Sequence, residues 1–299
     1  MWGKKGKIMT NTKQAKIIPI TDMLTNPELR ISLHRRLHHE TEEVHKTIEG
    51  WETQTTSSLE DVIKARILEG ENTTKILRNS FMYGCYFGTK EQSQLWQRSL
   101  NRLGTLPHHQ GSTLLIDFQI YPALLVLYAG GIGSISSGSM FNLKYLIDSY
   151  VSIHGRDKVK IIEKANCGML GNNGNKLLGT DNRYTPLSDH LLDIFKSEVP
   201  EEIVFNEDIE DIFDRLEILI SMAIADIDRN QNNYIWAPLG RFAWRGNAMG
   251  GSILAKIGKE LEEEGDLWSP IKAGIFGSSS NRAKAAHEVI LSLVNKRAF

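Results

Sequence analysis

Apolar residues recur at helical spacing through the first third of the chain. Between Leu29 and Ile48 they follow one another at intervals of four or seven residues, as on the buried face of an amphipathic helix. Asn26 and Pro27 are typical of a helix start, and Gly50 is typical of a helix end. The pattern therefore predicts a helix from Asn26 to about Gly50.

Two capping motifs predict further helices in the same region. Ser57 and Glu60 fit an S-x-x-E capping box ahead of a periodic apolar run, and Thr89 and Gln92 fit a T-x-x-Q box ahead of another. Gly104 is expected to end the second helix. The N-terminal third is thus predicted to be a series of amphipathic helices joined by short turns.

The most apolar segment is residues 114–135, and residues 118–143 include no charged side chain. Such a segment is typical either of a membrane span or of a buried central helix. If Pro122 takes the first helical position, the helix to Ile135 is only ~21 Å long, whereas a bilayer core is ~30 Å thick. The pattern favours a buried helix.

Helical periodicity also dominates the second half of the chain. Only residues 158–163 and 201–205 have the composition of strands, and neither has an evident partner. We therefore predict a mainly α fold, a multi-helix globular array with a central buried apolar helix and at most minor β content. Further helices are predicted at residues 142–153, 207–228 and 252–265, in a short stretch capped by Thr185 and Pro186 that reaches Phe195, and in a last helix from Ser280 or Asn281.

Charge and turn-forming residues divide the chain into four segments. Residues 166–186 are rich in Gly and Asn and predict a linker or loop. Residues 1–20 form a basic N-terminal arm, residues 21–165 an N-terminal helical domain, and residues 187–299 a C-terminal helical domain. The two domains are expected to be separate or packed as one unit.

Composition narrows the class of protein but not its activity. The 299 residues carry 35 Lys and Arg against 36 Asp and Glu, a net charge of −1, so the large basic excess of a DNA-coating protein is absent. Cys85 and Cys167 lie far apart and outside any C-x-x-C pattern, as expected for a reducing compartment. We expect a cytoplasmic protein.

A group of histidines on the first long helix has the spacing of metal ligands. His34, His38, Glu42 and His45 lie three or four residues apart and would share one helix face. His34, His38 and Glu42 are the candidate metal ligands. The segment lacks the HExxH order of zinc proteases, so a solvated or interfacial helix face is the competing interpretation.

Aromatic residues and arginines alternate between residues 234 and 245. The residues concerned are Tyr234, Trp236, Arg241, Phe242, Trp244 and Arg245. This loop could stack bases and neutralise phosphates, contact a protein, or place its aromatic rings in the core and its arginines on neighbouring carboxylates. Trp236, Arg241, Trp244 and Arg245 are the candidate binding residues.

The glycines Gly130, Gly131 and Gly133 superficially resemble a phosphate-binding loop. No GK[ST] motif and no preceding strand accompany them, so we interpret them as packing or helix-termination positions. The chain also has no GxSxG elbow. We therefore predict no catalytic residues and no cofactor.

Two stretches carry a resemblance to known proteins: YPALLVLYAGGIGSISSG at residues 121–138, and WAPLGRFAWRGNAMGG with EEEGDLWSPIKAGIFGSSS between residues 236 and 280. They resemble uncharacterised helical C-terminal regions that follow sirtuin-like or ATP-binding effector modules in large multidomain bacterial proteins associated with antiphage defence. The resemblance covers about a quarter of the chain. It implies a helical fold and a role beside an effector, and no effector module is recognisable here.

These observations predict a non-enzymatic helical interaction or regulatory protein, a sensor or scaffold serving a bacterial defence system. Its expected partner is a protein, either an effector subunit or a second copy of the chain, and no membrane association is expected. Two alternatives stay open. One is nucleic-acid binding through residues 234–245, and the other is a metal-dependent enzyme built on His34, His38 and Glu42.

Overall fold

The structure is a computed structural model that describes residues 18–107, 110–153, 157–204, 208–231, 236–245 and 252–297. Helices dominate it, joined by short 3₁₀ turns and one two-stranded antiparallel sheet. The helices are α1 (Ile20–Thr25), α2 (Arg30–Glu49), α3 (Leu59–Phe87), α4 (Ser93–Leu103), α5 (Thr113–Phe118), α6 (Tyr121–Ser136), α7 (Met140–Ile147), α8 (Ile161–Lys164), α9 (Gly174–Leu178), α10 (Pro186–Glu198), α11 (Ile209–Gln231), α12 (Ile253–Glu264), α13 (Ser269–Lys272) and α14 (Ser280–Arg297). The strands are β1 (Tyr150–Ile153) and β2 (Asp157–Lys160).

Helix α6 lies at the centre of the array. Every residue from Tyr121 to Ile135 is buried, and α3, α7 and α11 pack around the helix. Among the residues that the structure describes, the stretch 113–136 is the one long and apolar enough to cross a membrane, and 89% of its most apolar window is buried in the protein. The predicted helical array with a buried apolar helix is confirmed, and this burial is consistent with a soluble protein.

Glycines allow α6 to approach its neighbours closely. A Cβ atom on Gly133 would lie 2.2 Å from the carbonyl oxygen of Met82 in α3, and a Cβ on Gly131 would lie 2.5 Å from the side chain of Leu216 in α11. Both glycines lie inside the helix, so they are packing positions and do not terminate it. The nearness of backbones explains why α3 and α6 make the most extensive helix–helix contact among the described elements.

We expect Gly133→Ala to destabilise the protein by about 1–3 kcal/mol, because the new methyl group forces two backbones apart in a close-packed core. Urea unfolding would measure the loss. Gly50→Ala is the matched control, since a Cβ there meets nothing nearer than 3.4 Å and its change should stay within about 0.5 kcal/mol. Equal midpoints for the two variants would show that α3 and α6 can separate without cost.

Several predicted helix boundaries are confirmed. The side chain of Asn26 accepts a hydrogen bond from the backbone of Glu28, at the 3₁₀ turn that leads into α2. Thr89 and Gln92 form the expected capping box ahead of α4. Ser252 caps α12 by accepting a bond from the backbone of Ala255. Short polar side chains at these positions satisfy amide groups that a helix leaves unpaired.

The predicted helix at 142–153 is wrong in its second half. Helix α7 ends at Ile147, and Tyr150 begins β1, which pairs with β2 in the register Tyr150↔Lys160. The amide of Tyr150 donates to the side chain of Asn101 in α4, so tertiary hydrogen bonds override the local helical pattern. The strand predicted at 158–163 exists only to Lys160, where α8 follows directly.

Two smaller predictions are also wrong. The S-x-x-E box does not form, because α3 begins at Leu59 with no side-chain cap, and the amide of Ser57 donates to Thr55 instead. The strand predicted at 201–205 is a turn over residues 201–204, closed by the bond from the amide of Ile203 to the carbonyl of Pro200. Its last residue lies outside the described residues, as do Asn206 and Glu207.

The glycine-rich stretch 166–186 is a folded loop that includes α9. Asn175 organises it: its side-chain oxygen accepts from the backbone of Arg183 and from the hydroxyl of Thr180, and its amide nitrogen donates to the carbonyl of Arg183. Beyond this loop, α11 packs against α6. Helices from both predicted domains therefore meet in the core.

Candidate functional site

The aromatic and arginine loop lies across α11. Of its predicted residues, Tyr234 lies outside the described residues, whereas residues 236–245 are described. The amide of Trp236 donates to Asp228 at the end of α11, and the carbonyl of Pro238 accepts from Ser221 in its middle. Gly240 packs so tightly on Glu217 that a Cβ would lie 1.8 Å from a carboxylate oxygen.

Both loop arginines bind carboxylates of α11. Nη2 of Arg241 lies 2.9 Å from Glu210, and Nη1 of Arg245 lies 2.7 Å from Asp214. Arg241 also approaches Asp214 at 3.8 Å and Asp189 at 3.9 Å. The positive charges of Arg241 and Arg245 are therefore matched by acids within the protein.

A buried carboxylate lies beneath this surface. Glu217 is 1% exposed. Its Oε2 accepts a 2.7 Å bond from the hydroxyl of Ser188, and its Oε1 accepts a 3.2 Å bond from Tyr128. Ser188 in turn accepts from the amide of Arg241. The loop, α10, α11 and α6 thus share one buried polar network.

The surroundings of the acidic residues of α11 shift their pKa values in different directions. Burial, reinforced by the charge of Asp214, raises the pKa of Glu217 to about 8. Burial also raises the pKa of Asp214, although the nearby arginines oppose it. Hydrogen bonds from Lys196 and Arg241 lower the pKa of Glu210 to about 2. Glu217 is therefore mostly protonated at neutral pH, and Glu210 is ionised.

The network also includes a thiol. Cys167 keeps part of its surface exposed, but burial of its sulfur and the adjacent carboxylate of Glu217 raise the pKa of the thiol well above its usual range. A thiol of this kind stays protonated and is a poor nucleophile. The network is thus a set of neutral hydrogen-bonding groups at pH 7, suited to fixing the loop in place.

Two of the three described aromatic residues of the loop, Trp236 and Trp244, reach the surface. Trp244 stacks on Tyr184 with ring centroids 4.2 Å apart, and the two rings are 36% and 75% exposed. Trp236 is 42% exposed, and its ring packs against Gly168. Phe242 is buried in the core.

Trp236 stands at the edge of a largely apolar cleft of about 290 Å³, which we call the Trp236 cleft. Its walls come mainly from α5, β1, α8 and the loop after α8, and a few of these side chains are polar. Its lining residues are Leu106, Leu114, Ile116, Asp117, Phe118, Ile120, Val151, Ser152, Glu163, Lys164, Asn166, Gly168, Met169, Leu170 and Trp236. A concave apolar surface with a few polar groups is the usual form of a binding site.

The side chains on the histidine face of α2 make contacts in different places and do not converge on one site. Both carboxylate oxygens of Glu42 bind Arg102, at 2.7 and 2.9 Å, and this partner lowers the pKa of Glu42. His45 is buried and bonds the carbonyl of Thr105, while His34 lines a separate polar cavity. Across the described ranges, no group of three or more His, Cys, Asp or Glu side chains is arranged to hold a metal ion.

Sequence reasoning singled out the loop but missed the groups beneath it. Glu210, Asp214, Glu217 and Ser221 follow each other at intervals of three or four residues and therefore share one stripe of α11. A polar stripe running beside the apolar face was a detectable signal for a buried network. Its partner Tyr128 is 89 residues from Glu217, and no local pattern connects the two.

No family model matches the chain, and no curated protein or solved structure shows significant similarity to it.

Proposed function

We propose that this chain is a non-enzymatic helical interaction or regulatory protein, a sensor or scaffold, and that its Trp236 cleft receives an apolar side chain of a protein partner. The observation that carries the proposal is a concave, mainly apolar cleft with a partly exposed indole at its edge. Tryptophan is enriched among the residues that dominate binding energy in protein interfaces. The cleft is sized for one anchoring side chain and its neighbours.

Electrostatics favour a protein partner over nucleic acid at this loop. Phosphate binding requires cations that can exchange small counterions for phosphates, and Arg241 and Arg245 already bind Glu210 and Asp214. An approaching strand would have to displace or face those carboxylates. An apolar anchor needs no such exchange.

The resemblance of residues 121–138 and 236–280 to helical regions beside defence effectors suggests the setting. We propose that the protein works in the bacterial cytoplasm and that its partner is an effector subunit of an antiphage system. In this proposal the chain acts as a scaffold or sensor for the effector subunit, and the effector subunit carries out the reaction.

Trp236→Ala is expected to abolish capture of the partner from the native host while leaving the fold intact. Truncating a central interface tryptophan typically costs at least about 2 kcal/mol of binding, a loss of about thirtyfold in affinity. The measurement is quantitative mass spectrometry of proteins co-purified with the wild-type chain and with the variant. Trp244→Ala is the matched control, because Trp244 is a similarly exposed tryptophan of the same loop outside the cleft lining.

A stoichiometric protein retained by Trp244→Ala and lost from Trp236→Ala would support the proposal. Equal retention by all three chains would place the interface elsewhere and contradict the role of the cleft. Recovery of nucleic acid with no protein partner, reduced by Arg241→Gln or Arg245→Gln, would overturn the proposal in favour of nucleic-acid binding. Thermal unfolding of each variant distinguishes lost binding from a lost fold.

A further inference from the structure

A second cavity, of about 500 Å³, lies between α4, α7 and the turn that follows α13. It shares no lining residue with the Trp236 cleft. Its walls carry polar and aromatic groups from elements far apart in sequence. The lining residues are Lys90, Gln97, Phe141, Lys144, Tyr145, Asp148, Lys272, Ala273, Gly274 and Ser278. We call this the lysine cavity.

The lysine cavity concentrates positive charge. Three lysines line it, Lys90, Lys144 and Lys272, against one acid, Asp148, for a net charge of +2. Asp148 is already shared between Lys144 and Lys160. Within the described part of the chain, neither Lys90 nor Lys272 forms an ion pair. Lys90 interacts electrostatically with its neighbour Glu91, but neither ammonium group is held by a described carboxylate at ion-pair distance.

The positions of two lysines are set by close packing. The ammonium of Lys90 lies 4.5 Å from the centroid of the Phe141 ring, a cation–π contact that orients the side chain. The Cε of Lys144 lies only 3.3 Å from where a Cβ of Gly274 would be. Burial and the charge of Lys160 lower the pKa of Lys144, as expected where positive charges are crowded. An anion would relieve that crowding.

The wall of the cavity is also a strained turn. Phe276, Gly277 and Ser278 have φ angles of 58°, 60° and 58°. Phe276 and Ser278 are not glycines, so the left-handed conformation is energetically unfavourable for them. Phe276 is buried and stacks on Trp268, which holds the turn in place. Ser278 follows this turn and lines the cavity, where it adds a hydroxyl group to the wall.

We propose that the lysine cavity binds the phosphate groups of a small phosphorylated metabolite that carries at least two negative charges. Lysine ammonium groups and a hydroxyl are the donors that phosphate oxygens accept from, and the volume lies within the range of small-molecule sites. Because lysines from three separate elements line the cavity, ammonium donors can reach a bound phosphate from more than one side. This site is independent of the partner cleft and would supply the ligand input of a sensor.

The test is isothermal titration of the full chain with inorganic pyrophosphate, with ATP and with inorganic phosphate at low ionic strength. We expect saturable binding of one pyrophosphate or ATP per chain and weaker binding of inorganic phosphate. Lys90→Gln and Lys272→Gln should each weaken it about fivefold, the effect of losing one contact of about 1 kcal/mol between solvated charges. Lys259→Gln is the matched control, because Lys259 is an exposed lysine on α12 outside the cavity.

Lys272→Arg should retain most of the affinity, which separates a need for charge from a need for an intact fold. Three results would overturn the proposal: no saturable binding of any of the three probes, equal weakening by Lys259→Gln, or binding of an oligonucleotide without any affinity for pyrophosphate. Tighter binding of ATP than of pyrophosphate would support the proposal and add a contribution from the base or sugar.

Discussion

Glu217→Gln is expected to flatten the decline in the free energy of unfolding between about pH 5 and pH 8. In the folded wild-type chain burial raises the pKa of Glu217 to about 8, whereas an unfolded glutamate has a pKa of about 4.3. Between those two values the folded chain holds a proton that the unfolded chain has released. Folding then takes up one proton, so stability falls as pH rises.

The size of the effect follows from proton linkage. One proton difference gives a slope of about 1.4 kcal/mol per pH unit, present only between the unfolded and folded pKa values. Glutamine has the shape of the protonated acid and can still bond Ser188 and Tyr128, so the variant keeps the network and loses the titration. We expect it to be more stable than the wild type at pH 8 and close to it at pH 5.

Urea unfolding at half-unit steps of pH would measure this difference. Glu210→Gln is the matched control, because Glu210 lies two turns earlier in α11 but has its pKa lowered to about 2. Its stabilising charge is lost only as pH falls below about 4.3, so that variant should run parallel to the wild type above pH 5. A Glu217→Gln curve that also runs parallel would show that Glu217 titrates normally.

Local pattern was sufficient for elements whose residues act on their neighbours. Thr89 and Gln92 form their capping box because both partners lie within one helical turn, and the apolar run after Pro122 becomes α6 because its length and uniform hydrophobicity fit a fully buried helix. Ser57 does not cap α3, because the helix begins at Leu59 and its cap position is Ser58, one residue after the predicted one. Helix capping depends on the exact residue at which the helix starts, and a shift of one residue removes the bond.

Long-range pairing was beyond the reach of local pattern. Residues 150–153 became β1 because they pair with β2 and because Asn101, 49 residues away, accepts a bond from Tyr150. The candidate site was likewise only partly predictable from local sequence. Aromatic residues and arginines marked the loop 234–245, but their surroundings depend on contacts with α10 and α11. The lysine cavity brings Lys90 and Lys272 together across 182 positions of the chain.

The contact between α3 and α10 gives the second large prediction. Arg78 is 1% exposed and grips Glu198 with two hydrogen bonds, from Nε at 2.9 Å and from Nη2 at 2.6 Å. Its Nη1 donates to the carbonyl of Glu71 at 2.7 Å and to the hydroxyl of Thr74. One guanidinium therefore satisfies acceptors in two helices that belong to different predicted domains.

Arg78→Met is expected to destabilise the protein by about 3–5 kcal/mol, because it leaves the mostly buried carboxylate of Glu198 without its two guanidinium donors. Lysine cannot make the bidentate hydrogen bond that arginine makes to a carboxylate, so Arg78→Lys should recover only part of the lost stability. Adding Glu198→Leu to Arg78→Met should restore stability, since the unpaired charge is then gone.

Denaturant unfolding of the single and double variants would measure this coupling. Lys64→Met on the same helix is the control, because the ion pair of Lys64 with Glu60 is partly exposed to solvent, with side chains 42% and 26% exposed, and such pairs contribute about 1 kcal/mol or less. If Arg78→Met costs no more than Lys64→Met, the buried pair does not hold α10 against α3. If the double variant is as unstable as Arg78→Met, the loss comes from packing around the arginine stem, and the charge on Glu198 plays no part.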